Sequence, residues 1–126
     1  MTITAQPDLV DAIEDWLAQM SHERRSSAHS VAAYRHDVAA FLAFMNDHLG
    51  GPARLADMAT LARGDLRAWL AFRKQAGLAA SSTARALSAL RGLFRYLARH
   101  RDIQNPALAT LATPKLPRSL PRALTG

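Results

Sequence analysis

Val31, Tyr34, Val38, Phe41, Leu42, Met45 and Leu49 follow one another at steps of one, three and four residues. That spacing puts them on one side of an α-helix about five turns long. Leu9, Ile13, Trp16, Leu17 and Met20 make an earlier stripe of the same kind, entered through Pro7 and Asp8, a helix-start pair. Leu66, Trp69 and Leu70 form a third that ends near Gly77, with its start left open because Gly64 weakens a first turn. Thr83, Leu87, Leu90, Phe94 and Leu97 form the fourth. Ser27 is expected to cap the second helix and Gly50-Gly51-Pro52 to stop it. Ser81 or Ser82 is expected to cap the fourth, and Asn105-Pro106 to open a short fifth helix through about Leu111. No segment alternates with period two, so no strand is expected. The fold class is therefore all-α: four main helices, plus a short C-terminal one, with Trp16 and Trp69 in the core.

A chain of 126 residues suits one domain with one core. It has no cysteine, which excludes a disulfide framework and thiolate metal ligation. No apolar run approaches the roughly 20 residues that span a bilayer, and no membrane partner is expected. Met1 to Asp15 carries acids and no basic residue, unlike a secretory or transit peptide. A cytoplasmic location is the expectation. After Leu111 the sequence changes: Thr113 to Arg122 holds three prolines and three basic residues, the composition of an extended linker. Residues 1–111 are expected to form the domain, and 112–126 a basic linker toward an absent C-terminal domain.

Charge is unevenly placed. Residues 1–74 carry eight Lys/Arg against nine Asp/Glu, whereas residues 75–126 carry eight Lys/Arg against Asp102 alone, so the net +6 resides in the second part. A positive half nearly free of acids attracts a polyanion, of which nucleic acid is the commonest. Charge alone leaves membrane surfaces and acidic proteins open.

The fourth helix concentrates this charge. Arg85, Ser88, Arg91, Arg95 and Arg99 lie opposite its apolar stripe, with Ser81 on their side and Ser82 beside it, and no carboxylate occurs from Gln75 to Arg101. Guanidinium forks suit phosphate oxygens and guanine edges, and hydroxyls near a helix N-terminus suit a phosphate. A merely solvated face usually pairs Arg with acids at i and i+4. Here any such acid has to come from elsewhere in the fold. Arg85 and Arg91 are accordingly expected to tolerate Ala with little effect on stability. The start of the second helix, with Arg24, Arg25, Ser26, Ser27, His29, Ser30 and Arg35, is a second candidate, whose bland reading is an N-cap with a solvated first turn. The five histidines show no ligand spacing, so no metal and no cofactor is expected. Nothing assembles a nucleophile with a base.

Taken in order, these segments resemble the N-terminal core-binding domain of tyrosine recombinases (the phage integrase family), most closely the Xer type. Ser27-Ala28-His29-Ser30-Val31-Ala32-Ala33-Tyr34-Arg35-His36-Asp37-Val38 is similar to the family's second helix. Ala84-Arg85-Ala86-Leu87-Ser88-Ala89-Leu90-Arg91 with Phe94 and Tyr96-Leu97 is similar to its most recognisable one. Asn105-Pro106, Pro114-Lys115, Pro117-Arg118 and Leu120-Pro121 are similar to its passage into the linker. The resemblance implies a SAM-like bundle forming half of a clamp around double-stranded DNA. Ser27, His29, Ser30, Tyr34 and Arg35 would approach the backbone, and Ser81, Ser82, Arg85, Ser88, Arg91 and Arg95 would face the duplex. Lys115, Arg118 and Arg122 would follow phosphates along the linker.

The family's cleavage chemistry belongs to its C-terminal domain, so this fragment is expected to bind DNA without cutting it, within a parent acting in site-specific recombination. Other protomers are implied as partners. Two departures stand out: Ser81 replaces a residue often basic in relatives, and His29 stands where Arg or Asn is frequent, which adds a pH-sensitive group. The alternatives are a helical protein-interaction module, favoured by exposed Leu or Phe, and an RNA-binding domain, which would want exposed aromatic platforms.

Overall fold

The computed structural model describes residues 2–23, 27–109 and 111. Among these residues five helices follow in order: α1 (Pro7–Glu23), α2 (Ala28–Leu49), α3 (Leu55–Thr60), α4 (Arg63–Gln75) and α5 (Ala80–His100). No strand occurs among the described residues. The four long helices are the four periodic stretches of the sequence. The linker expected at 112–126 lies outside the described residues.

Apolar periodicity becomes a single core. Leu9, Ile13, Trp16, Leu17 and Met20 of α1 meet Val38, Phe41, Leu42 and Met45 of α2 and Leu87, Leu90, Leu93, Phe94 and Leu97 of α5, all nearly or wholly removed from water. Phe41 and Trp69 pack edge to face at 5.2 Å, which brings α4 onto α2. Leu49, at the end of the second stripe, is 41% exposed. It sits in the last turn of α2.

Termini follow local chemistry. The Ser27 hydroxyl accepts the Ser30 N–H at 3.1 Å as N-cap of α2. Gly50, at φ 86°, ends that helix in the left-handed region, with the Gly51 N–H returning to the Asn46 carbonyl at 2.8 Å. Gly77, at φ 81°, does the same for α4, with bonds from Gly77 N–H to Lys74 and from Leu78 N–H to Arg73. The chain leaves this turn ready to begin α5 at Ala80 with Ala79 as N-cap, so neither Ser81 nor Ser82 caps it. Their hydroxyls lie inside the first turn and are available for other work.

Two further elements differ from expectation. The short α3 starts at Leu55, where the Asp57 carboxylate takes the Arg54 N–H at 2.8 Å, and it buries Met58. After α5, residues 106–109 form a turn rather than a helix, with the Ala109 N–H on the Pro106 carbonyl at 3.1 Å. Asn105 explains the stop. Its carbonyl oxygen takes the Ala107 N–H at 2.9 Å, while its amide donates to the Met58 and Leu61 carbonyls at 2.7 and 2.9 Å. The residue expected to cap a new helix instead closes the end of α3.

Asn105→Ala strands those carbonyls and is expected to cost about 1–3 kcal/mol of unfolding free energy. Leu49→Ala is expected to stay within about 0.5 kcal/mol. Denaturant titration of both variants checks the two expectations together.

Candidate nucleic-acid interface

The basic face of α5 is real, and its members divide by what they touch. Ser81, Arg85, Ser88, Arg95 and Arg99 are exposed along one side, while Thr83, Ala86, Leu87, Leu90 and Leu97 are buried on the other. Arg95 and Arg99 make no ion pair among the described residues. Together with Tyr96 and His100, whose rings lie 4.5 Å apart, they border a shallow groove against Gln19 and Met20 of α1.

Arg85 is different. Its Nε donates to Asp37 Oδ2 at 2.9 Å and its Nη2 to Oδ1 at 2.8 Å. Asp37, on α2, is only 2% exposed, while the Arg85 side chain keeps about half its surface in water, at 49%. The carboxylate holds the Arg85 guanidinium above its ordinary pKa, by hydrogen bonding first and by charge second. The acid missing from the helix's own sequence is thus supplied by α2, and the expectation that Arg85 is dispensable for stability is corrected. Removing it would strand a buried charge.

A second guanidinium lies beneath. Arg73 of α4 is 5% exposed and donates from Nε to the Thr83 hydroxyl at 2.8 Å and from Nη2 to the Ser82 hydroxyl at 3.1 Å. Its cation stands over the Trp69 ring at 5.5 Å. Burial lowers its pKa, Asp37 partly offsets that by attraction, and Arg85 adds repulsion. Sequence reading missed Arg73, because nothing local distinguishes it from a solvated arginine in the last turn of a helix.

Arg91 also departs from expectation. It is half-buried at the edge of the face, and its Nη2 donates to the Leu111 carbonyl at 2.9 Å. That bond ties α5 to the segment after it, so Arg91 is not a free member of the stripe.

On α2, Ser27, His29 and Ser30 are exposed at the first turn. Arg35 forms a two-pronged pair with Glu14 of α1, at 2.8 and 2.6 Å, so it ties two helices together. Tyr34 is half-buried and stacks on Trp16 at 6.1 Å, nearly parallel. Trp16 in turn faces Gly92 of α5, where an added Cβ would meet its ring at 3.5 Å. Trp16 therefore reaches both α2 and α5, close to the basic stripe. Arg25, Lys115, Arg118 and Arg122 lie outside the described residues. Among the described residues no group of three His, Cys, Asp or Glu is placed to hold a metal, and no helix is long and apolar enough to cross a membrane.

One other surface is notable. Phe72 of α4 is 51% exposed and Leu78 45%. Phe72 packs on Phe44 of α2 at 5.1 Å, and Phe44 on His48 at 5.4 Å, an apolar patch carried by α2 and α4.

Residues 13–101 match the family described as phage integrase, N-terminal SAM-like domain. The chain is similar to tyrosine recombinase XerC of Rhodospirillum centenum, at 44% identity over 119 residues, covering 94% of this chain and 35% of the relative. It is similar to the protein of the same name in Mesorhizobium japonicum at 42% over 123 residues, covering 98% and 39%. For Rhizobium meliloti the match is 40% over 119 residues, covering 94% and 37%. The chain thus spans a little over a third of the length of these curated relatives. No solved structure matches it.

Arg85→Ala is expected to lower stability by about 2 kcal/mol or more by leaving Asp37 buried without its fork, whereas Arg95→Ala is expected to leave the thermal midpoint nearly unchanged. Thermal melts of the two variants decide the matter. The Glu14 carboxyl is held below its usual 4.5, chiefly by the hydrogen bond from Arg35. Stability from this pair is therefore present above about pH 4.5 and is lost as pH falls through the lower, folded value. Both partners are substantially exposed, so the contribution is expected below about 1 kcal/mol. Glu14→Gln should flatten the acid limb of stability against pH by that amount.

Proposed function

The chain belongs to the phage integrase N-terminal SAM-like domain family, and from that membership we propose that it is the double-stranded-DNA-gripping half of a tyrosine recombinase. The observation that carries this reading is the outward side of α5. Ser81, Arg85, Ser88, Arg95 and Arg99 are exposed there along some five turns with no acid from the helix itself. Among the described residues, the carboxylate paired with this row is Asp37, which is itself buried. Such a row offers donors and positive charge to phosphates without an apolar surface to hide.

In this reading Ser27, His29 and Ser30 meet the DNA backbone from the first turn of α2, and Tyr34 and Arg35 support that turn from behind through Trp16 and Glu14. Arg25, Lys115, Arg118 and Arg122 extend the phosphate contacts on either side. Cleavage and rejoining would belong to the larger part of such a protein that this chain does not span. The Xer-type resemblance points the parent's task toward chromosome-dimer resolution. The domain itself works as a half-clamp, positioning more than it specifies, with affinity on the order of micromolar near physiological salt.

A second reading has its own support. The exposed Phe72 and Leu78, with Phe44 beside Phe72, favour a contact with another protein, such as a second recombinase protomer. Phe44 and Phe72 belong to α2 and α4, and Leu78 to the connection before α5, so none lies on the outward side of α5 and the two readings are compatible.

Fluorescence anisotropy of a short labelled duplex at several salt concentrations tests the proposal. Binding should weaken steeply with salt, and Arg95→Ala and Arg99→Ala should each reduce the log–log slope by about one. Absence of binding at about 50 mM salt would leave only the protein-contact reading.

A further inference from the structure

Arg85 has five N–H donors, and the bonds to Asp37 use one on Nε and one on Nη2. The opposite edge of the fork, made of one N–H from each Nη, remains open among the described residues. With Asp37 sealed in the protein and Arg85 half in water, that open edge is the exposed one. A guanidinium gripped along one side cannot sweep through its rotamers, so the ordering that recognition requires is largely complete before any ligand arrives.

Pairing with a carboxylate normally cancels the charge that draws an arginine to DNA. Here Arg73 stands close enough to interact electrostatically with both Asp37 and Arg85. Arg73 is bonded to Ser82 and Thr83 just ahead of Arg85, so two guanidinium groups stand near one carboxylate and the cluster keeps a net positive charge.

The surroundings of Arg85 are small. Ser81 and Ser88 stand one turn to either side of it on the exposed face, and Ala84 precedes it. A helix bare of bulk at this point can sink into a major groove, whose width admits one. Arg95 and Arg99, about 15 Å and more along the helix axis, have no such tether among the described residues. Long untethered side chains suit phosphates, which accept from many directions. A fixed two-pronged donor suits the O6 and N7 acceptors of guanine, which demand one geometry.

Resting on the DNA-binding reading above, the geometry points to Arg85 as the residue that reads a guanine in the major groove, with Asp37 as the positioning residue that fixes its fork. Arg73 keeps the cluster positive and anchors Ser82 and Thr83 at the start of the same helix.

The test uses the chain against a pool of duplexes with randomised base pairs, selected for binding at low salt and sequenced. The selected sequence is then compared with the same duplex carrying adenine at the preferred position. The wild type should enrich guanine at one fixed position and discriminate by about tenfold or more. Asp37→Asn and Arg85→Lys should each reduce that discrimination to within about twofold, while affinity for an unselected duplex falls less than about threefold. Circular dichroism verifies folding, and Arg85→Lys keeps a cation beside Asp37 should the Asn variant prove unstable. Discrimination that survives in a folded Arg85→Lys variant overturns the assignment and leaves the DNA-binding reading standing. A wild type that binds no duplex at about 50 mM salt removes both.

Discussion

Asp37 lies on α2 with almost none of its surface in water, and a carboxylate in that position has to be compensated by charge and hydrogen bonds. Arg85 of α5 supplies both prongs of a fork, and Arg73 of α4 adds a second positive group nearby. The Asp37–Arg85 fork joins α2 to α5, and Arg73 joins α4 to α5. Arg73 also fixes the start of α5, because it donates to the hydroxyls of Ser82 and Thr83. On the α1 side, the Trp16–Tyr34 stack and the Glu14–Arg35 pair join α1 to α2. The basic face is therefore built on a braced frame rather than decorating a loose helix.

That frame sorts the arginines by task. Arg35, Arg73, Arg85 and Arg91 all spend donors inside the protein, on Glu14, on two hydroxyls, on Asp37 and on the Leu111 carbonyl respectively. Arg95 and Arg99 face outward without an ion pair among the described residues. A count of basic residues treats these as equal, yet only some have charge to give a phosphate at no cost to the fold. In the proposed interface Arg85 has a share in both tasks, because its fork has two usable edges.

Helix existence was legible in the sequence because each long helix repeats its apolar residues over several turns, and burial of Leu9, Phe41, Trp69, Leu90 and Leu97 follows from that repeat. The N-cap at Ser27 and the stop at Gly50 were legible too, being local chemistry. Features that depend on distant partners were not. Leu55–Thr60 is too short to show a period. Asn105 reads as a helix cap until its amide is seen closing α3, some 44 residues away in sequence. Ser81 and Ser82 look like caps, but the left-handed turn at Gly77 lets α5 begin earlier. The Asp37–Arg85 pair spans 48 residues, and nothing in either neighbourhood announces the other. The composition of the candidate face was thus readable, while its internal bracing was not.

Backbone amide NMR of the labelled chain titrated with a short duplex tests whether the surface organised around the Asp37–Arg85 pair meets DNA. The largest shifts are expected along the outward side of α5 from Ser81 to Arg99 and at the first turns of α2 from Ser27 to Arg35, diminishing as salt is raised. Shifts gathered instead around Phe44, Phe72 and Leu78, with α5 unmoved, would contradict that contact.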